Sequence, residues 1–363
     1  MFILIKHSIP GCVKLADNIR DLVKQTETTA CVIELNILLH GIPDFINTGN
    51  ALYYWFNSIL GRYAVSAFVL VSDNYELVPE QKFAEQASRM QHIPEADRKD
   101  AALALSITDE YCPPGRLINA SPALIYNAIC YLLNRVAVAS QHSPYPVLYA
   151  TCPSLKRGAR SDIIINGIHR FAGDNIILSK DAPCPPKKFV DGEGELLAWL
   201  WAAWFCRTCA GTRTIIVSID TDNIGIAMLM EDIDVRNSVV VELKPIGQGH
   251  SKRRRYFDCR ELAQRPVVDL KDMLLLYILG GGSDFCRGVL TKAPIPKHGI
   301  ITLLKHFAKN PIRLRDTDCL DCFLSTFIPQ QQLSELAPVK ADLFWNLKYW
   351  HEVLLRNAAS LAD

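Results

Sequence analysis

Ala30-Cys-Val-Ile-Glu34-Leu35 is a short apolar run with a single carboxylate near its end. Its length and β-branched content read as a strand buried on both faces. The same pattern returns twice. Ser66–Ser72 (SAFVLVS) delivers Asp73, and Thr214–Ile219 (TIIVSI) delivers Asp220; Val239–Leu243 is a further strand-like run. Strands that are apolar throughout suit a parallel sheet covered by helices on its faces. Helical stretches are expected between and after them, at Ala51–Leu60, Glu80–Met90, Ser121–Ala139, Glu195–Cys209 and Val268–Leu279. Alternating strands and helices imply an α/β layer fold. Ligands of open sheets of this class bind at the carboxyl ends of the strands, where these acids stand.

Composition bounds the partners. The chain has 363 residues, 49% of them hydrophobic, enough for one large domain or two ordinary ones. Its 39 basic residues nearly cancel its 38 acidic ones, so any nucleic-acid surface must be local. The opening Met1–Ile5 run is broken by Lys6 and His7, too short for a secretory signal core. The longest apolar run, Leu196–Cys206, is shorter than the ~20 residues that cross a bilayer. The reading is a soluble, intracellular protein, nuclear or cytoplasmic, with no membrane partner. The pairs Cys206/Cys209 and Cys319/Cys322 lie far apart, unlike the ligands of a zinc ribbon, and are expected to be buried, unligated thiols. His40 and His169 make no ligand spacing.

Three further motifs gather carboxylates. Glu193-Gly-Glu195 opens the helix that runs to Cys209, where free N–H groups and the helix dipole tolerate negative charge. Ser218-Ile-Asp220-Thr-Asp222 follows a buried strand. Leu279-Gly-Gly-Gly-Ser-Asp284-Phe285 is a glycine run that lets the backbone bend and present Asp284. Each alone has an ordinary explanation as a helix start or a turn. Packed together with Glu34 and Asp73, however, they would repel one another. Magnesium or manganese relieves this, because hard cations take carboxylate oxygens. Two such ions about 4 Å apart activate a water and stabilise the leaving oxygen of a phosphodiester.

The ordered set Asp73, Glu193-x-Glu195, Asp220-x-Asp222 and Gly-Ser-Asp284-Phe resembles the flap endonuclease/XPG family of 5′ nucleases. That resemblance implies a three-layer PIN-like domain with a central, mostly parallel sheet, a helical insertion and a helical C-terminal region. The nuclease core would span residues 1–245, with an arch region at about 80–190. Residues 246–363 would carry a basic loop, the last acidic motif and terminal helices. It also implies a two-metal nuclease acting on DNA or RNA, with Glu193, Glu195, Asp220, Asp222 and Asp284 as ligands of the Mg2+ or Mn2+ pair. Glu34, Asp73 and Asp284 would complete the acidic ring. Lys82 and Arg89 fall in the stretch equivalent to the family's basic arch. Lys297, in Pro296–Ile300, resembles the start of the second helix of the family's DNA-holding hairpin. Two departures stand out: Glu34 occupies a position where the family has Asp, and Ala293-Pro-Ile295 lacks the hairpin's glycines.

Lys252-Arg253-Arg254-Arg255 is the one concentrated positive patch, expected as a solvated loop able to contact phosphates. Trp199, Trp201, Trp204 and Phe205 recur near helical spacing and are expected in the core rather than as a base-stacking platform. Two other functions fit part of the pattern. One is a nucleic-acid-binding scaffold of the same family that has lost catalysis. The other is a haloacid-dehalogenase-like phosphatase using Asp220 as nucleophile and Asp222 as acid, which leaves Glu193 and Glu195 unused.

Overall fold

The computed structural model describes residues 13–16, 28–63, 65–73, 91–103, 106–140, 148–152, 167–172, 175–178, 194–218, 222–230, 232–246 and 253–263. These fall into two compact units, one holding residues 16 and 28–218 and the other residues 13–15 and 222–263. The expected helices at 80–90 and 268–279 lie outside the described residues.

The larger unit is α/β. Strands β2 (Thr28–Glu34), β3 (Ala67–Val71), β4 (Leu148–Cys152), β5 (Gly167–Ala172), β6 (Asn175–Leu178) and β7 (Thr212–Val217) stand in the order β7-β2-β3-β4-β5-β6. The first four in that order are mutually parallel, while β5 and β6 extend the sheet antiparallel. The sheet is therefore mixed. The apolar runs that announced β2, β3 and β7 lie in its parallel part, and Cys31, Val32, Ile33, Val69, Leu70, Val71, Ile215 and Ile216 are inaccessible to solvent. Burial of the strands on both faces is what their lack of alternation encodes.

Helices α1 (Leu35–Leu39), α2 (Gly49–Leu60), α3 (Glu95–Leu103), α4 (Gly115–Ile118), α5 (Pro122–Ser140) and α6 (Gly194–Thr208) complete this unit. The expected 51–60, 121–139 and 195–209 helices correspond to α2, α5 and α6. Thr48 caps α2, its hydroxyl accepting from the Ala51 N–H at 3.1 Å. Helix α6 packs on β2, β7 and β3, and every residue from Gly194 to Phe205 is buried. This explains its apolar composition on all sides. Trp199, Trp201, Trp204 and Phe205 are core residues, and Trp201 and Trp204 meet edge to face with centroids 5.5 Å apart. Past Phe205 the helix leaves the core, so Cys206 is half-buried and Cys209 exposed, not the buried thiols expected. Gly211, at φ 79°, then turns the chain into β7 in a conformation that disfavours a side chain.

Two boundaries differ from the sequence reading beside the acids. The chain turns helical immediately after Glu34, so Leu35 begins α1 instead of ending β2. Strand β7 runs from Thr212 to Val217, which leaves Ser218 just beyond it.

The smaller unit has strands in the order β1-β9-β8: β1 (Val13–Ala16), β8 (Val239–Ile246) and β9 (Arg253–Asp258). Helices α7 (Asp222–Leu229) and α8 (Ile233–Ser238) precede β8, and a 3-10 turn (Cys259–Ala263) follows β9. The basic tetrad is not a loop over its described part: Arg253–Arg255 begins β9, antiparallel to β8. The reason is the run Tyr256-Phe-Asp258, whose residues are all buried and draw the arginines into the ladder. Asp258 is inaccessible and held by Lys14 at 3.0 Å and by Arg260 at 3.0 Å. No helix among the described residues is long and apolar enough to cross a membrane.

Candidate metal centre

Glu34 is the last residue of β2, Asp73 lies two residues past β3, and Ser218 one residue past β7. All three sit at carboxyl ends of adjacent parallel strands with β2 in the middle. Ser218 continues the Ile33–Val217 register by one step, which sets it beside Glu34 on the same face of the sheet. Its Oγ donates to Glu34 Oε2 at 2.9 Å. The amino end of α6 closes over these strand ends, and the Gly194 N–H donates to Asp73 Oδ1 at 2.8 Å. Asp73 thereby caps one of the helix's otherwise unpaired N–H groups from a distant strand. Asn36, on α1, donates to Asp73 Oδ2 at 3.5 Å and accepts from the Asp73 N–H at 3.3 Å.

Glu195, second residue of α6, brings a third carboxylate. One oxygen from each of Glu34, Asp73 and Glu195 falls within 4.8 Å of the others, and all three residues are buried, at 3%, 8% and 6% exposure. Three carboxylates at this separation, shielded from bulk water, repel one another more strongly than they would on the surface. A hard divalent cation fits the donor set, which is all carboxylate oxygen.

Of the acids singled out in the sequence, Glu34, Asp73 and Glu195 are brought together. Glu193, Asp220 and Asp284 lie outside the described residues, as does the side chain of Asp222, which begins α7 in the smaller unit. Among the basic positions, Lys82, Arg89, Lys252 and Lys297 lie outside them, as does the side chain of Arg253. Arg254 faces Glu242 with Nε 4.0 Å from Oε1, and desolvation lowers the pKa of the half-buried Arg255. His40 pairs with Asn119 at 2.8 Å.

The sequence reading missed Asn36, and it quoted Ser218 only as part of an acidic motif. A signal existed for Asn36: it is the one amide in the apolar stretch Leu35–Leu39.

No family model matches this chain, and no curated protein matches it.

Proposed function

We propose that the protein is a metal-dependent nuclease of the flap-endonuclease type, built on a three-layer PIN-like domain and cutting DNA or RNA phosphodiesters. The observation that carries the proposal is the buried triad Glu34, Asp73 and Glu195, on the carboxyl edge of parallel strands and the first turn of a helix. Asp73 and Glu195 come from two motifs of the resemblance, in its order, and Glu34 stands where the family has Asp. The layering is supported by connection handedness. The β2-to-β3 crossover and the return to β7 run in opposite directions across the sheet. Right-handed connections would then set α2 and α6 on opposite faces.

The triad would hold Mg2+ or Mn2+. Such ions supply an activated water and charge neutralisation at the scissile phosphate. The chain's own part is orientation. Ser218 fixes one oxygen of Glu34; the Gly194 N–H and Asn36 hold Asp73 from two sides. Lys82, Arg89, Lys252, Arg253, Arg254, Arg255 and Lys297 are the candidate phosphate contacts.

A second reading has one observation in its favour. Asp73 caps α6 and Glu34 ties β2 to Ser218, so both acids have structural partners in a nucleic-acid-binding protein that does not cut.

Labelled 5′-flap DNA, single-stranded DNA and single-stranded RNA, incubated with Mg2+ or Mn2+, separate the two. The nuclease cuts at least one substrate only with metal, and Glu195→Gln abolishes the cutting. Gel-shift binding by both proteins with no cleavage in either would overturn the enzyme and leave the binding protein.

A further inference from the structure

Gly194, at the amino end of α6, lies directly against the two strand acids. A methyl group built there would lie 3.0 Å from Asp73 Oδ1, 3.0 Å from Glu34 Cγ and 3.4 Å from Glu34 Cδ. Carbon–carbon contacts are optimal at about 3.5–4.0 Å, so a methyl would have to displace something. Neither neighbour is free to retreat. The head of Glu34 is held by Ser218 at 2.9 Å, and Asp73 is held by the Gly194 N–H itself at 2.8 Å and by Asn36. The α6 backbone has no slack either, because the residues that follow are buried against the sheet.

We infer that Gly194 is a positioning residue, coupled to Glu34: the missing side chain at 194 makes room for the long arm of a glutamate at 34 while the 194 N–H sets Asp73. The inference rests on the metal reading for its functional consequence, but the steric coupling does not. With alanine at 194, α6 and the strand acids would have to part slightly, and Glu195, one residue on, would shift against Glu34 and Asp73. Helix propensity alone predicts the opposite sign for this substitution, since alanine is the better helix former.

The experiment uses the full chain as wild type, Gly194→Ala, Glu34→Ala and the double variant. Mn2+ affinity is measured by calorimetry on wild type and Gly194→Ala, and metal-free unfolding midpoints on all four. Gly194→Ala is expected to weaken Mn2+ binding about ten-fold or more, the scale set by altering groups that orient ligands. It is also expected to lower the wild-type midpoint. In the Glu34→Ala background, where Cγ and Cδ are gone, the same substitution is expected to lower the midpoint much less or to raise it. Unchanged Mn2+ affinity in Gly194→Ala would overturn the positioning role, and equal midpoint shifts in the two backgrounds would overturn the coupling. Wild-type protein that binds no Mn2+ at millimolar concentration would overturn the metal function instead, and the midpoints would still decide the coupling.

Discussion

The Ser218 hydroxyl donates to Glu34 Oε2 at 2.9 Å, joining residues 184 positions apart in sequence. Both groups are buried, Ser218 at 0% and Glu34 at 3% exposure. Replacing Ser218 with alanine removes a donor from a buried carboxylate while leaving its backbone in place. Loss of such a bond destabilises by about 1–3 kcal/mol. Urea unfolding of Ser218→Ala is expected to show a lowered midpoint with an unchanged slope. An unaltered midpoint would mean that the bond contributes nothing net.

Neutralising one member of the triad is expected to have opposite effects on stability and metal binding. Glu195→Gln removes one of three mutually repelling charges, so the metal-free unfolding midpoint rises. Mn2+, which binds the folded wild type, raises its midpoint with concentration and raises that of the variant far less. Thermal scans with and without Mn2+ check both signs. A variant less stable than wild type without metal would show that Glu195 serves the fold.

Thr48 holds the first turn of α2 through its hydroxyl. Thr48→Ala is expected to lower stability by about 1 kcal/mol, the usual loss for an N-cap threonine. Metal binding at the triad should not change, because Thr48 touches none of its residues. Chemical denaturation and a Mn2+ titration of the same sample test the two halves.

Cysteine reactivity gives a test of burial. Cys112 is 1% exposed, and burial pushes its thiol up to about 11. Cys209 is exposed at the end of α6. Brief iodoacetamide treatment of native protein at pH 8, read by peptide mass spectrometry, is expected to label Cys209 and spare Cys112. Because the folded thiol holds its proton more tightly than the ordinary value of about 8.5, its contribution to stability is complete below that pH. It declines as the unfolded chain ionises and is lost by pH about 11, so Cys112→Ala should flatten this part of the stability–pH curve.

The parts of the fold readable from the chain were those fixed by local pattern. The runs at Ala30–Glu34, Ala67–Val71 and Val239–Leu243 are strands because such unbroken apolar segments are satisfied inside a sheet. The Trp199–Phe205 stretch is buried because no solvated helix is apolar on every side. Strands β4, β5 and β6 were not read, for LYATC, GIHRFA and NIIL are too short and mixed to stand out. What makes them strands is pairing with one another and with β3. The tetrad ending at Arg255 looked like a loop because its charges dominate a local window, whereas the ladder with β8 decides its conformation.

The candidate site divides in the same way. The sequence by itself determined which side chains carry negative charge and that Glu34 and Asp73 come at strand ends and Glu195 at a helix start. Tertiary structure alone decided that these three converge within 4.8 Å, that Ser218 and Asn36 serve them, and that a methyl at position 194 would crowd Glu34 and Asp73. The reason is physical. Propensity and hydrophobic period act over a few residues, while the order of strands in a sheet and the seat of a helix on it are set by packing between segments far apart in the chain.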